Sequence, residues 1–327
     1  MKIFITGATG FIGSHLVKRL SRTDHELYCL VRKTSDVSRL KELNANLVVG
    51  DVTDKNSLLE GMKDCDWVAH LASKFEFWVR DKKVYYDVNI MGMRNVMESA
   101  LKSGIKKVVS VSTAAVYGNA KWPITEETPV GDYRASEYAR TKYQGDLIAW
   151  RMYENDELPL VVIYPGAVIG PDDPKAAGRY IKNFAQGKMP AQILTDKPFP
   201  FVHVKDVCEA VLKALEKDGN IGEKYLIIEC NRTFGEVNKM ISEISGTPLP
   251  KLILPDIMTS FGAAIATGLS RIIGKPPLLD MSIDQIKLMK LGYEFDGGKA
   301  ERELGLDYSP IRTAFEEAIA SFKETGR

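Results

Sequence analysis

Neither a disulfide framework nor a CxxC metal pair is written into this chain: its four cysteines, Cys29, Cys65, Cys208 and Cys230, stand far apart. Thiols scattered in this way suit a reduced, intracellular setting. The four histidines, His15, His25, His70 and His203, lack the spacing of zinc ligands, so no metal site is expected. Charge of either sign is not in excess, since 44 Lys and Arg offset 43 Asp and Glu for a net +1. No global field draws the chain to nucleic acid, and no basic patch interleaved with aromatics marks a nucleic-acid site. Met1-Lys2 leads straight into Ile3-Phe4-Ile5 without a secretory leader pattern, so a cytoplasmic location is expected. The charge-free stretch Ile257–Ser270 runs for 14 residues, short of the roughly 20 that span a bilayer. No membrane span is expected; the stretch is read as a buried helix or a lid, with a membrane-surface helix as the alternative. Repeats and low-complexity tracts are absent.

What is present is a soluble-protein composition, 45% apolar and 27% charged, over 327 residues, enough for a large core in one or two domains. An apolar run at 2–6 is followed by Gly7-Ala-Thr-Gly10-Phe-Ile-Gly13 and then a helical pattern from Ser14. Strand, glycine turn and helix N-terminus together form a cradle for a dinucleotide pyrophosphate, because glycine lets the backbone approach and the helix end favours an anion. A second strand, Glu26–Val31, ends in Arg32-Lys33, two cations where an acid would bind the ribose of NAD. They suit a 2′-phosphate, so NADP is expected, with NAD as the alternative. A helix over 35–43 and a strand over 46–49 follow, and Asp51 is positioned to accept from the adenine amine. The strand Trp67–His70 runs into Leu71-Ala72-Ser73, at the carboxyl edge where ligands bind in open α/β sheets. Phe75, Phe77 and Trp78 follow in a loop and read either as core or as the wall of an apolar pocket. A long helix over 81–103 carries Asn89, a fifth strand over 106–112 leads to Thr113, and a sixth covers 160–164. This alternation predicts an α/β fold with a doubly wound parallel sheet. Beyond Pro171 the alternation loosens. The expected division is a Rossmann domain from 1–170 plus about 201–230, and a smaller, discontinuous substrate-binding lobe from 171–200 plus 231–327.

Around these elements one pair stands out. Tyr138 and Lys142 lie four residues apart in a predicted helix over 136–154, so phenol and ammonium share a face. An ammonium beside a phenol favours the phenolate and tunes the tyrosine as a general acid or base.

Taken in order, Thr6-Gly7-Ala-Thr-Gly10-Phe-Ile-Gly13, Gly50-Asp51-Val52, Ser112-Thr113-Ala-Ala-Val-Tyr-Gly118, Tyr138-x-x-x-Lys142, Pro165-Gly-Ala-Val-Ile-Gly170-Pro171 and Phe201-Val-His203-Val-Lys-Asp206 resemble an extended short-chain dehydrogenase/reductase of the NAD-dependent epimerase/dehydratase superfamily. Val31-Arg32-Lys33-Thr34-Ser35 and Phe77-Trp78-Val-Arg80 are most similar to its dihydroflavonol-reductase-like and hopanoid-associated sugar epimerase group. The resemblance implies that Tyr138 is the general acid, that Lys142 lowers its pKa and holds the nicotinamide ribose, and that Thr113 binds the substrate oxygen, with Ser112 as the alternative. It implies cofactor contacts from Gly7, Thr9, Gly10, Phe11, Ile12, Arg32, Lys33, Asp51, Val52, Leu71, Ala72, Ser73, Tyr138, Lys142, Tyr164, Gly166 and Val168. Asn89 matches a family asparagine that supports the lysine through water. A homodimer joined through the helices at 81–103 and 136–154 is implied as well.

Two departures narrow the chemistry. Where nucleotide-sugar dehydratases carry Asp-Glu after the Thr113 position, this chain has Ala114-Ala115, which cannot transfer protons. Where nucleotide-sugar members carry Arg-Asp before the Val-His-Val run, it has Phe199-Pro200, trading a diphosphate-binding guanidinium for a phenyl ring. Arg80 and Arg179 remain as other cations for an anionic group. The expected activity is NADP(H)-dependent reduction of a ketone, or oxidation of a secondary alcohol, on an apolar small molecule. Nucleotide-sugar 4-epimerisation with tightly bound NAD(P) is the alternative.

Overall fold

The computed structural model describes residues 1–277, 279 and 281–324. The chain opens with repeated β–α units: β1 (Lys2–Thr6) and α1 (Phe11–Leu20), β2 (Glu26–Val31) and α2 (Ser38–Glu42), β3 (Asn46–Val49) and α3 (Lys55–Met62). After β4 (Trp67–His70), α4 (Lys83–Tyr85) and α5 (Gly92–Lys102) are joined by a π-helical segment, Tyr86–Met91. β5 (Lys107–Val111), α6 (Glu137–Asp156) and β6 (Leu160–Pro165) follow. Next come β7 (Ala167–Ile169), α7 (Ala176–Ala185), β8 (Gln192–Ile193), β9 (Pro198–His203) and α8 (Val204–Glu216). Then β10 (Lys224–Ile227), β11 (Cys230–Thr233), α9 (Phe234–Ser245) and β12 (Ile253–Leu254) lead to α10 (Asp256–Ile273). The chain closes with α11 (Ile283–Leu291), α12 (Gly298–Leu304) and α13 (Ile311–Glu324).

Seven strands form one parallel sheet in the order β3-β2-β1-β4-β5-β6-β10. Helices cover both faces. Leu16 and Val17 of α1 join Val207 and Val211 of α8 on one side; Leu58 and Met62 of α3 join Val96 and Met97 of α5 on the other. Strands buried on both faces read as unbroken apolar runs, which is why β6 is Leu-Val-Val-Ile-Tyr-Pro rather than an alternation. The strand order reverses between β1 and β4, and the crevice at their carboxyl ends is where such a sheet takes its ligands.

A smaller body is built on the sheet β11-β9-β7, packed by α7, α9, α11 and α13 around Ile181, Phe184, Ile241 and Phe315. Gly166 is the crossing point from one sheet to the other. A Cβ there would lie 2.8 Å from the Pro200 carbonyl oxygen, so only glycine allows the two backbones to pass. The small sheet draws on both segments as bounded from the sequence, with β7 before residue 170 and β9 across 200; residues 278, 280 and 325–327 of the expected second lobe lie outside the described residues.

Several local expectations need correcting. The helix expected over 81–103 is interrupted by the π-helical segment, whose widened turn carries Asn89 inward; insertions of this type collect at functional sites. The helix expected over 35–43 shrinks to α2. α3 was not anticipated, since its capping Asp54, which accepts from Asn56 and Ser57 N–H, precedes only two large buried apolar side chains, Leu58 and Met62. Ile257–Ser270 forms neither a buried helix nor a lid, because α10 turns its large apolar side chains outward.

Candidate active site

The crevice begins at the end of β1. Gly7 has φ +75°, and a Cβ on it would sit 2.7 Å from the Ala72 nitrogen; a Cβ on Gly13 would sit 2.0 Å from the Gly7 carbonyl oxygen. The turn is therefore pressed against the start of α1 and the end of β4, with no room for side chains. Gly10 is the N-cap of α1 and offers no side-chain cap, which leaves the first-turn N–H groups for an anion. Gly7, Gly10, Phe11, Ile12, Leu71 and Ser73 line the crevice here. Ala72 is held by its N–H to Thr6 Oγ1 at 3.2 Å, and Thr9 is exposed on the turn. Arg32 and Lys33, past the end of β2, are exposed and have no ion-pair partner among the described residues. Asp51 Oδ1 accepts from Thr53 N–H and Oγ1–H at 2.9 and 2.8 Å, so one carboxylate oxygen remains for a ligand. Val52 is buried against Gly92. These last four residues mark the outer end of the crevice, beyond the cavity described below.

At the centre is the first turn of α6. Ser136 caps it, accepting from Ala139 N–H at 3.1 Å, and Tyr138 follows with its phenol buried beside Thr113. Lys142, one turn on, is buried and donates Nζ–H to the Val111 carbonyl at 3.1 Å. A further turn brings Asp146, whose Oδ2 accepts from Ser112 Oγ–H at 2.6 Å while its buried Oδ1 has no hydrogen-bond partner among the described residues. Trp150, another turn on, donates Nε1–H to Tyr164 at 3.1 Å. One face of α6 thus carries Tyr138, Lys142, Asp146 and Trp150 in i+4 steps. Asp146 escaped the sequence reading; its signal was the carboxylate one further turn beyond the Tyr–Lys pair. Ser112 and Thr113 both line the cavity with Tyr138, but the Ser112 hydroxyl is committed to Asp146. Tyr164, expected at the cofactor, has its phenol accepting from Trp150 Nε1–H and is not among the residues lining the cavity.

Burial sets the protonation states. It pushes the Tyr138 phenol well above its ordinary value, opposed by the Thr113 hydroxyl and reinforced by the Asp146 charge, so the depression expected from the Lys142 ammonium does not appear. Burial also pulls Lys142 down, opposed by the Asp146 charge, and pushes the Asp146 carboxyl up to about 6, opposed first by Lys142. His70, buried on Thr6 Oγ1 at 2.7 Å, is driven by burial down to about 3 and stays neutral. Asn89 does not bond Lys142 directly. It joins the loop after β4 to α6, donating to Thr141 Oγ1 at 3.0 Å and accepting from Lys74 N–H at 2.7 Å.

A cavity of about 300 Å³ runs from the glycine turn past Thr113 and Tyr138 into the smaller body. Gly166, Val168, Ala114 and Ala115 are part of its wall. Beyond Tyr138 the wall is aromatic. Phe75 stands edge-on to the Tyr138 ring at 4.9 Å, Phe77 at 6.4 Å, and Phe199 packs on Phe234 and Tyr293 at 5.5 and 5.7 Å. Glu76 is paired with Lys175 at 2.7 Å and Arg179 at 3.4 Å, so this arginine is held in a cluster at the rim. Arg80 lies exposed beside Gly274. Among the described residues no cluster of His, Cys, Asp or Glu could hold a metal ion, and no helix is long and apolar enough to cross a membrane.

The profile of the NAD dependent epimerase/dehydratase family matches residues 3–227. Sterol demethylase protein B of Methylococcus capsulatus is 30% identical over 100% of this chain and 99% of its own. The putative dihydroflavonol 4-reductase of Synechocystis sp. is 29% identical over 99% of this chain and 95% of its own. The crystal structure of gox2253 has a TM-score of 0.86 at 34% identity, covering 99% of this chain and 98% of that one. UDP-sugar 4-epimerases are matched too, by sequence and by structure; the solved ones share the fold.

Proposed function

The chain belongs to the NAD dependent epimerase/dehydratase family, whose chemistry is of the NAD(P)-dependent oxidoreductase type, and within it we propose an NADP(H)-dependent reductase of an apolar ketone, or dehydrogenase of the matching secondary alcohol. The observation that carries this reading is the aromatic wall past Tyr138, with Phe199 where nucleotide-sugar members would present a diphosphate-binding arginine. The residues fit the cofactor: the crowded Gly7 and Gly13, the uncapped start of α1, and the unpaired Arg32 and Lys33 would hold pyrophosphate and 2′-phosphate. When bound, the nicotinamide supplies the hydride to the carbonyl carbon or removes it from the alcohol. Tyr138 gives its proton to the carbonyl oxygen, and Thr113 holds that same oxygen. Lys142, whose charged form Asp146 supports, would hold the ribose of the bound cofactor and favours the phenolate that remains. Phe75 and Phe77 exclude water from the reacting carbonyl.

Thermal unfolding of the NADP-loaded protein tests the substrate class. Flavanonol, steroid or β-keto-acyl ketones should raise the midpoint by mass action, and nucleotide sugars should not. Stabilisation by nucleotide sugars alone would instead favour the 4-epimerase, which uses the same tyrosine and returns the hydride to its own substrate.

Asp146 is a positioning residue. Asp146→Asn keeps an acceptor for Ser112 but removes the charge that supports the Lys142 ammonium, so the alkaline limb of the kcat profile should move down by about one pH unit. An unmoved limb would reject the role. A homodimer through α4–α5 and α6 is part of the same proposal, and light scattering at micromolar concentration should give twice the chain mass.

A further inference from the structure

Helix α10 is packed inside out. It turns Thr259, Ala263, Thr267 and Ser270 to the protein, all buried, while Ile257, Phe261 and Ile272 stand 79%, 68% and 83% exposed. Its rotation is fixed. Thr267 Oγ1 accepts the Ile283 N–H at 2.9 Å, and Ala263 joins the apolar cluster that contains Ile286 and Met289. The inward hydroxyls of Thr259, Thr267 and Ser270 are satisfied by carbonyls one turn back, at Pro255, Ala263 and Ala266. The outward face of these 18 residues, about 27 Å long, is left apolar and is extended by exposed Leu252 and Ile253 just before it. Monomeric proteins rarely leave so large an apolar patch in water.

The charges at its ends indicate what covers it. Lys251 is exposed ahead of the helix, and Arg271 and Lys275 are exposed at its far end, where Arg80 lies against Gly274. The single acid of α10, Asp256, is 3.9 Å from Lys197. Two copies packed α10 on α10 would set cations against cations in either orientation, with no acid of α10 among its exposed apolar side chains to pair them. Anionic headgroups would neutralise all four. The chain as a whole is nearly neutral, so this is a local asymmetry.

The face is also joined to the cavity. α11 lies between them, packing on α10 and presenting Leu288 and Met289 to the cavity. Past the end of α10, Pro276 joins Lys74, Trp78 and Arg179 around a recess of about 310 Å³ that shares Phe77 and Gln285 with the cavity. Gln285 is buried, and its Oε1 has no partner among the described residues, so it offers an acceptor to a polar group passing there.

We propose that α10 seats in the plane of an anionic bilayer surface, and that a membrane-partitioned apolar substrate reaches Tyr138 through the recess beside its C-terminal end. The substrate half rests on the reductase reading; the docking half does not.

Flotation of the full chain with phosphatidylcholine vesicles, and with an equal mixture of phosphatidylcholine and phosphatidylglycerol, tests the docking. The protein should float with the mixed vesicles, and rising salt should release it. Arg271→Glu with Lys275→Glu should weaken binding by about 30-fold or more. Phe261→Ser with Ile265→Ser and Ile272→Ser should abolish it, with thermal unfolding unchanged because these side chains are exposed. Should the serine variant fail to fold, the charge-reversed pair decides. Wild-type protein that stays with the lipid-free fraction at low salt overturns the docking. So does a dimer that the serine variant converts to a monomer without any vesicle binding, since a second copy would then be the occupant. For delivery, turnover of a steroid ketone presented in mixed vesicles should fall with flotation in the charge-reversed pair, while that of a water-soluble ketone holds; equal turnover of both overturns the route. Flotation reads no chemistry, so failure of the reductase reading leaves its result standing.

Discussion

Tyr138→Phe should lower kcat by about 10³-fold or more and leave the NADP dissociation constant within about twofold. The substitution removes a single oxygen. The ring keeps its place against Phe75 and Phe77, so the wall of the cavity is preserved. What is lost is the proton that goes to the carbonyl oxygen, and no other acid stands in that position. Thr113 remains as a hydrogen-bond donor but is too weak an acid to replace a phenol backed by Lys142. Thr113 loses the phenol beside it but is half-buried and keeps the Ala115 N–H on its Oγ1 at 3.3 Å, so the fold should tolerate the change. Steady-state kinetics beside a cofactor titration separates the two effects. A variant that turns over at the wild-type rate would show that the proton comes from elsewhere.

Arg32→Ala combined with Lys33→Ala should weaken NADP binding by about 100-fold and change NAD binding by about threefold or less. Each charged contact to a 2′-phosphate contributes about 1.5–3 kcal/mol, and a tenfold change in affinity is about 1.4 kcal/mol. The two side chains are exposed past the end of β2 and have no ion pair among the described residues to give up, so their charge is available to a ligand. The Arg32 backbone is already ordered, because its N–H donates to Ser35 Oγ at 3.2 Å and its carbonyl accepts the Ser35 N–H at 2.9 Å. Calorimetric titration with each dinucleotide reads the ratio directly. Equal losses for NADP and NAD would mean that the cations steer any dinucleotide by long-range charge. No loss for either would mean that they are solvated.

The parts of this protein legible from sequence are those encoded within a few residues of one another. The glycine turn could be read because strand, turn and helix are consecutive, and the crowding of Gly7 and Gly13 is a property of that turn. Tyr138 and Lys142 could be read because one helix turn brings them to one face. The parallel sheet followed from apolar runs alternating with helical ones, since each buried strand must be apolar along its whole length.

Tertiary structure decided what depends on distant partners. Asp146 extends the same helical face, but only the approach of Ser112 and Tyr164 from β5 and β6 shows that it is buried beside Lys142. Tyr164 sits on a strand whose side chains alternate between two sides, and no local pattern said which side faces the cofactor. The substrate wall joins Phe75 and Phe77 to Phe199, Phe234 and Tyr293, residues brought together only when the smaller body closes on the sheet. The sequence determined by itself that α10 would be apolar and uncharged along most of its length. Which face it buries was set by contacts with α11, and they favour the small Thr259, Ala263, Thr267 and Ser270, because only short side chains let the two helices approach closely enough for Thr267 to bond the Ile283 backbone.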